Sequence, residues 1–209
     1  MLACTADPAR AAPMRAYLKN RFDFLGIAKP QLMRICKPFF KGAAQADVDW
    51  RFVKQCWANP HRELQYCALE YLRAVQSKLT PQDIPRLQQL ITTKSWWDTA
   101  DFLDRIVGGI ALRYPDVNTV LLDWSQSDNI WLRRVAIDHQ LLRKEKTDTA
   151  LLEQILRNNL GQSEFFINKA IGWALRDYSK THPDWVRRFI ADYRQGMSRL
   201  SLREAQKYL

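Results

Sequence analysis

Helix-length segments of this sequence return in the same phase at a near-constant interval. ELQYCALEYL begins at Glu63, WLRRVAIDHQ at Trp131 and FINKAIGWAL at Phe166, so that Leu64, Leu132 and Ile167 occupy equivalent places. Trp97, which opens WDTADFL, falls in the same series, and the intervals from Leu64 onward are 33, 35 and 35 residues. A period of that size is two helices and two turns, and stacked copies of it make an α-solenoid. The match lies in helix phase more than in identity, and an ordinary helical bundle is the competing fold. A curved solenoid lines its concave face with every second helix, which suits it to hold a long cylinder such as a duplex.

The rest of the chain agrees with an all-α class. Asn59-Pro60, Thr80-Pro81, Tyr114-Pro115 and His182-Pro183 read as helix boundaries, because the residue before proline is pushed out of the helical region. Between them run segments of about 10–18 residues with apolar positions at i, i+3, i+4 and i+7. They amount to about ten helices. With 47% hydrophobic residues and only 7 glycines, a core can form. No low-complexity linker interrupts it, so a single domain spanning residues 1–209 is expected.

Lysine and arginine total 32 against 22 acidic residues, a formal net charge of +10. That surplus points to a polyanionic partner, nucleic acid before an anionic membrane. A soluble basic protein with no such partner is the bland alternative. The cysteines Cys4, Cys36, Cys56 and Cys67 form no CxxC pair, and His61, His139 and His182 add no zinc spacing, so no metal or other cofactor is expected. Cys67 reads as core, and reduced thiols fit the cytoplasm. No apolar run reaches signal-peptide or membrane-spanning length, so neither secretion nor a membrane partner is expected.

Three segments offer chemistry. In KSWWDTADFLDR, Trp96 and Trp97 are about 100° apart on a helix and serve different surfaces. Trp96 reads as core, whereas Trp97 and Asp101 share a face four residues apart. A ring beside a carboxylate stabilises a cation; the alternative is a buried tryptophan with an aspartate favoured by the helix dipole. In SDNIWLRRVAID a cap signal precedes a buried stripe of Trp131, Leu132, Val135 and Ala136. Of the adjacent Arg133 and Arg134, one can face a groove and fork onto a phosphate. The alternative is a solvated arginine, or an ion pair between Arg134 and Asp138. In EFFINKAIGWALRDYSK, Lys169, Trp173, Arg176 and Lys180 fall on one face. Three cations around a tryptophan suit a nucleic-acid backbone, while Phe166, Ala170, Ala174 and Tyr178 supply the apolar stripe. MRAYLKNRFDFLGI, with Tyr17 among basic residues, reads by itself as a solvated amphipathic helix.

Together with the closing SLREAQKYL, these segments resemble the AlkD-like DNA alkylation repair glycosylases, in order and over almost the whole chain. The resemblance implies a right-handed superhelix of HEAT-like repeats with a concave basic groove that holds duplex DNA. It implies a monofunctional glycosylase that hydrolyses the N-glycosidic bond of cationic N3- and N7-alkylated purines, in base excision repair and without base flipping. Carried over by motif, Asp101, Trp97 and Trp173 are its catalytic residues. Arg134 is its phosphate-contacting arginine, Tyr17 lines the same cleft, and Arg176 approaches the DNA backbone, with Lys169 and Lys180 on the same basic face. Ala28, Lys29 and Leu142 depart from the family pattern and bear on the finer DNA contacts. A monomer in the cytoplasm is expected. Two other readings remain: a non-catalytic scaffold for damaged or branched DNA, and a HEAT-like protein-interaction module.

Overall fold

Short polar side chains and prolines set the helix starts, as the boundaries in the sequence require. Asp49, Asn129, Asp148 and Ser198 each accept a backbone N–H from the first turn that follows, which satisfies donors that a helix leaves open. Pro8 and Pro183 sit at first helical positions, where the missing N–H is harmless. The computed structural model describes residues 5–209, and Cys4 lies outside them. Among the described residues twelve helices form and no strand, apart from one isolated bridge between Asp23 and His61. The sequence count is about ten; a seven-residue element such as Arg199–Ala205 shows little of the 3.6-residue period.

The residues group into two compact units, Met1–Leu79 and Thr80–Leu209. The first holds α1 (Pro8–Tyr17), α2 (Lys29–Phe40), α3 (Trp50–Ala58) and α4 (Arg62–Ala74), with α2 and α3 both packed on α4. MRAYLKNRFDFLGI is not one helix. The helix stops at Tyr17, and Lys19 and Asn20 take left-handed φ values of 58° and 55°. The cause lies downstream. The fully buried Glu63 carboxylate accepts three successive N–H groups, from Leu25 (3.0 Å), Gly26 (2.8 Å) and Ile27 (3.1 Å), so the chain must turn to present them. Gly26, at φ 86°, would place a Cβ 2.0 Å from the Asp7 carbonyl oxygen. Cys67 is core as expected, its Sγ 3.1 Å from that of Cys36. The Cys67 hydrogen bond and burial push the Cys36 thiol up, which keeps it a protonated, unreactive group.

The second unit holds α5 (Ile84–Thr92), α6 (Trp97–Arg113), α7 (Val117–Trp124), α8 (Ile130–Asp138), α9 (Thr149–Arg157), α10 (Phe165–Ser179), α11 (Pro183–Tyr193) and α12 (Arg199–Ala205). The helices α6, α8, α10 and α12 stack in series, each on the next, while α5, α7, α9 and α11 flank them. The repeat also appears in the polar bonds. Arg143 donates to the Gly108 carbonyl 35 residues back (2.6 Å), Asn159 to that of Ser125 (3.0 Å, 34 residues), and Ser201 to that of Asn168 (2.8 Å, 33 residues). Neighbouring repeats thus bond at one period, as expected where each touches only its neighbours.

Gly108 sets how closely α6 and the end of α8 approach. A Cβ there would meet the His139 carbonyl oxygen at 2.0 Å, backbone against backbone. His139 is itself buried, and burial pushes its pKa down to about 3. Gly108→Ala is expected to destabilise the protein by about 3 kcal/mol or more, the scale of severe overpacking. A urea unfolding curve for the variant checks this; an unchanged midpoint would show that the two backbones can separate freely.

Candidate active site

Each of three successive repeats places an aromatic side chain at the start of its helix. Trp96, Trp131 and Phe166 meet with ring centroids 5.6, 5.1 and 5.0 Å apart. Trp96 is core, as its phase predicts, and so are Trp131, Leu132, Val135 and Ala136. The cluster pins α6, α8 and α10 near their N-termini, and about one turn further along lie Asp101, Arg134 and Lys169.

Arg134 joins those three helices. Its Nε donates to Asp101 Oδ1 at 2.6 Å and its Nη2 to Asp101 Oδ2 at 2.8 Å. Its Nη1 donates to the Phe166 carbonyl at 2.6 Å. Its Nη2 also lies 3.8 Å from Asp138 Oδ2, the pair that the alternative reading of this segment names. A planar fork matched to a carboxylate is the strongest geometry an arginine offers. The Arg134 side chain is 2% exposed, whereas that of Asp101 keeps 22%. The expectation that Arg134 presents its fork to a phosphate therefore meets a buried, engaged guanidinium. In this conformation the group orients Asp101, and a phosphate contact would require one of these bonds to open.

Trp173 lies beside this pair. The Arg134 guanidinium carbon is 5.3 Å from its ring centroid, Lys169 Nζ 5.7 Å and the Arg176 guanidinium carbon 5.8 Å. Lys169 and Arg176 do flank the tryptophan, but both are tethered. Lys169 bonds Glu204 Oε1 at 2.7 Å, Arg176 bonds Oε2 at 2.7 Å, and Lys207 joins at 2.9 Å. Glu204 sits on α12 and approaches because residue 172 is glycine: a Cβ there would lie 2.5 Å from the Glu204 Cβ. Lys180 does not share this cluster. It pairs with Asp177 at 3.4 Å and stands 5.4 Å from the Tyr208 ring centroid, one turn past Arg176, where the helix ends.

Trp97 opens α6, half-buried, one turn before Asp101 on the same face. Tyr17 belongs to the first unit, where it closes α1 and is 70% exposed. Of the departures from the family pattern, Ala28 caps α2, Lys29 opens it and pairs with Glu70, and Leu142 is exposed with a left-handed φ of 67°.

Two acids lie near Arg134: Asp138, named in the sequence as its alternative ion-pair partner, and Asp104, which the sequence reading misses. Asp104 and Asp138 are 1% exposed, and together with Asp101 they bring carboxylate oxygens within 4.8 Å of one another. Three acids that close can hold a metal ion, but here the Arg134 guanidinium already contacts two of them. Burial, then Asp138, pushes the Asp104 carboxyl well up, and burial raises that of Asp138 to about 7.

All residues from 1 to 209 match the DNA alkylation repair enzyme family. The chain belongs to that family. As a member of it, the chain is similar to a solved structure from Enterococcus faecalis, described as a predicted DNA alkylation repair enzyme. The two are 31% identical, with a TM-score of 0.91 over 98% of this chain and 96% of that one. Two Streptococcus mutans structures share the fold at TM-scores of 0.63. Protein smu.31 is 15% identical over 85% of this chain and 97% of its own; AlkD2 is 16% identical over 87% and 98%. No curated protein matches the sequence. These likenesses agree with the helical repeats described above.

The tether on Lys169 and Arg176 has a pH signature. The Lys169 hydrogen bond, with Lys207, holds the Glu204 pKa down to about 2 from an ordinary 4.5. A carboxylate lowered on folding stabilises the protein above its ordinary value, and that contribution is lost as pH falls from about 4.5 to 2. Glu204→Gln is expected to flatten this part of the stability–pH curve and to change Trp173 fluorescence. A slope equal to that of the unaltered protein would show that the three cations do not hold Glu204 in solution.

Proposed function

We propose that the protein is a monofunctional DNA glycosylase. It hydrolyses the N-glycosidic bond of purines alkylated at N3 or N7 in duplex DNA, in base excision repair of alkylation damage. The observation that carries this reading is the Asp101 carboxylate, held through both oxygens by a buried arginine that also lies over the Trp173 ring, while the Asp101 side chain keeps 22% exposure. A group so held does not reorganise when charge develops in front of it, which is the condition for electrostatic stabilisation of a transition state.

The chemistry follows from the lesion. An N3- or N7-alkylated purine is already cationic, so it departs with the bonding electron pair and needs no general acid. What needs stabilising is the deoxyribose, which turns oxocarbenium-like as the bond breaks. Asp101 faces that charge and orients the water that bonds to C1′, whose proton passes to the carboxylate and then to solvent. Trp97 and Trp173 contribute ring faces. Arg176 approaches the backbone, Lys169, Lys180 and Tyr17 are further DNA-binding residues, and the net charge of +10 supports the duplex as partner. The lesion is recognised through its charge and weakened pairing, so the base need not be extruded. Among the described residues no helix is long and apolar enough to cross a membrane.

The test is release of 7-methylguanine from duplex DNA. Release is expected with the unaltered protein, and at least about tenfold less with Asp101→Asn, at or below the usual scale for removing one stabilising group. Binding of the duplex that weakens with salt but yields no free base would assign the chain to a non-catalytic scaffold.

A further inference from the structure

A carboxylate clamped by a guanidinium is a weak stabiliser of positive charge, because the arginine cancels it. The site described above has that difficulty at its centre: Asp101 gives both oxygens to Arg134. The structure places the remedy behind the arginine. Asp138 lies one turn along α8, 3.8 Å from Arg134 Nη2. Asp104 lies one turn along α6, with its oxygen in the same cluster as those of Asp101 and Asp138. Three carboxyl groups thus surround one buried guanidinium.

They cannot all be ionised at little cost. Both oxygens of Asp138 and one of Asp104 are buried without a hydrogen-bond partner, and a buried carboxylate so placed is unfavourable. Two neighbouring carboxyls in this position resist ionising together, so the proton affinity of one is raised. The other charged groups near the pair are few. Arg105 on α6 is half exposed, 3.9 Å from Asp104. His139, next along α8, is kept neutral by burial. From α10 come the Phe166 carbonyl and Trp173, with Lys169 and Arg176 bound to Glu204. On the flanking helices Arg86 pairs with Asp83, Glu153 bonds and Arg157 stacks on Tyr193, and Asp123 is exposed.

We infer that Asp104 and Asp138 are a proton-sharing pair that restores negative charge to the Asp101–Arg134 couple, with Asp138 a positioning residue for the reaction. The inference rests on the glycosylase reading for its catalytic consequence, but not for the shared proton. As pH rises, the pair releases its proton to solvent and the cluster becomes more negative by one charge. Arg134 is then over-compensated, and Asp101 presents its charge to the sugar. The sign is therefore fixed: base release rises with pH as the pair ionises, through about pH 7 by the position of Asp138.

Two measurements test this. The first is the rate of 7-methylguanine release across the neutral range for the unaltered protein, Asp138→Asn and Asp104→Asn. The unaltered protein should speed up through about pH 7. Asp138→Asn should be about tenfold slower on the alkaline side, about 1.4 kcal/mol of transition-state stabilisation, and should converge with it on the acidic side. A loss equal at every pH, or no loss, would overturn the catalytic part. The second is a carbon-13 titration of the aspartate carboxyls in the protein without DNA. One aspartate should titrate far above the ordinary 3.8, and its midpoint should fall in Asp138→Asn, where burial still acts on Asp104. If every aspartate is ionised well below neutrality, the shared proton does not exist. Absence of base release by the unaltered protein would refute the glycosylase reading alone, and the carboxyl titration would still decide the pair.

Discussion

The grip of Arg134 on Asp101 is the constraint around which the second unit is organised. It links α6 to α8 across 33 residues, and the same guanidinium reaches α10 through the Phe166 carbonyl. A buried cation is tolerated only where its donors are satisfied and its charge is met. The aromatic contact of Trp96, Trp131 and Phe166 brings the three helix starts together, and the polar cluster then fixes their register. Packing and electrostatics act here on the same three helices, one turn apart.

The repeat explains how a small chain builds such a site. Equivalent positions of successive repeats stand side by side, so a side chain meets partners one period away on either hand. Asp101 with Arg134, Lys169 with Glu204, and Asn159 with Ser125 are all pairs of this kind. Serial and flanking helices both supply core, and the serial helices also carry the polar cluster.

Much of this was legible in the sequence. The interval between Leu64, Trp97, Leu132 and Ile167 gave the helical repeat, and the phase of Trp96 gave its burial. The Ser/Asp/Asn signal gave the cap at Asn129. What stayed hidden were the partners. Adjacent Arg133 and Arg134 point in different directions, but sequence does not say which direction is inward; the answer depends on Asp101 a full repeat earlier. Lys169 and Arg176 look like free cations on a helix wheel because Glu204 lies 35 and 28 residues on. Asp104 looks like an ordinary helix acid, and Asp138 shows only its i, i+4 spacing from Arg134. For Tyr17 the local pattern continued a helix that the three N–H groups held by Glu63 bring to an end.

Gly172 shows how little can govern the character of such a surface. The hydrogen in place of a side chain lets α12 come close enough for Glu204 to seat between two basic groups. A methyl there would push the last helix outward and unlatch both cations from their acid. The surface beside Trp173 would then gain mobile positive field at the expense of order. One backbone position thus acts as a setting between rigid and loose attraction for a polyanion, without being a contact residue itself.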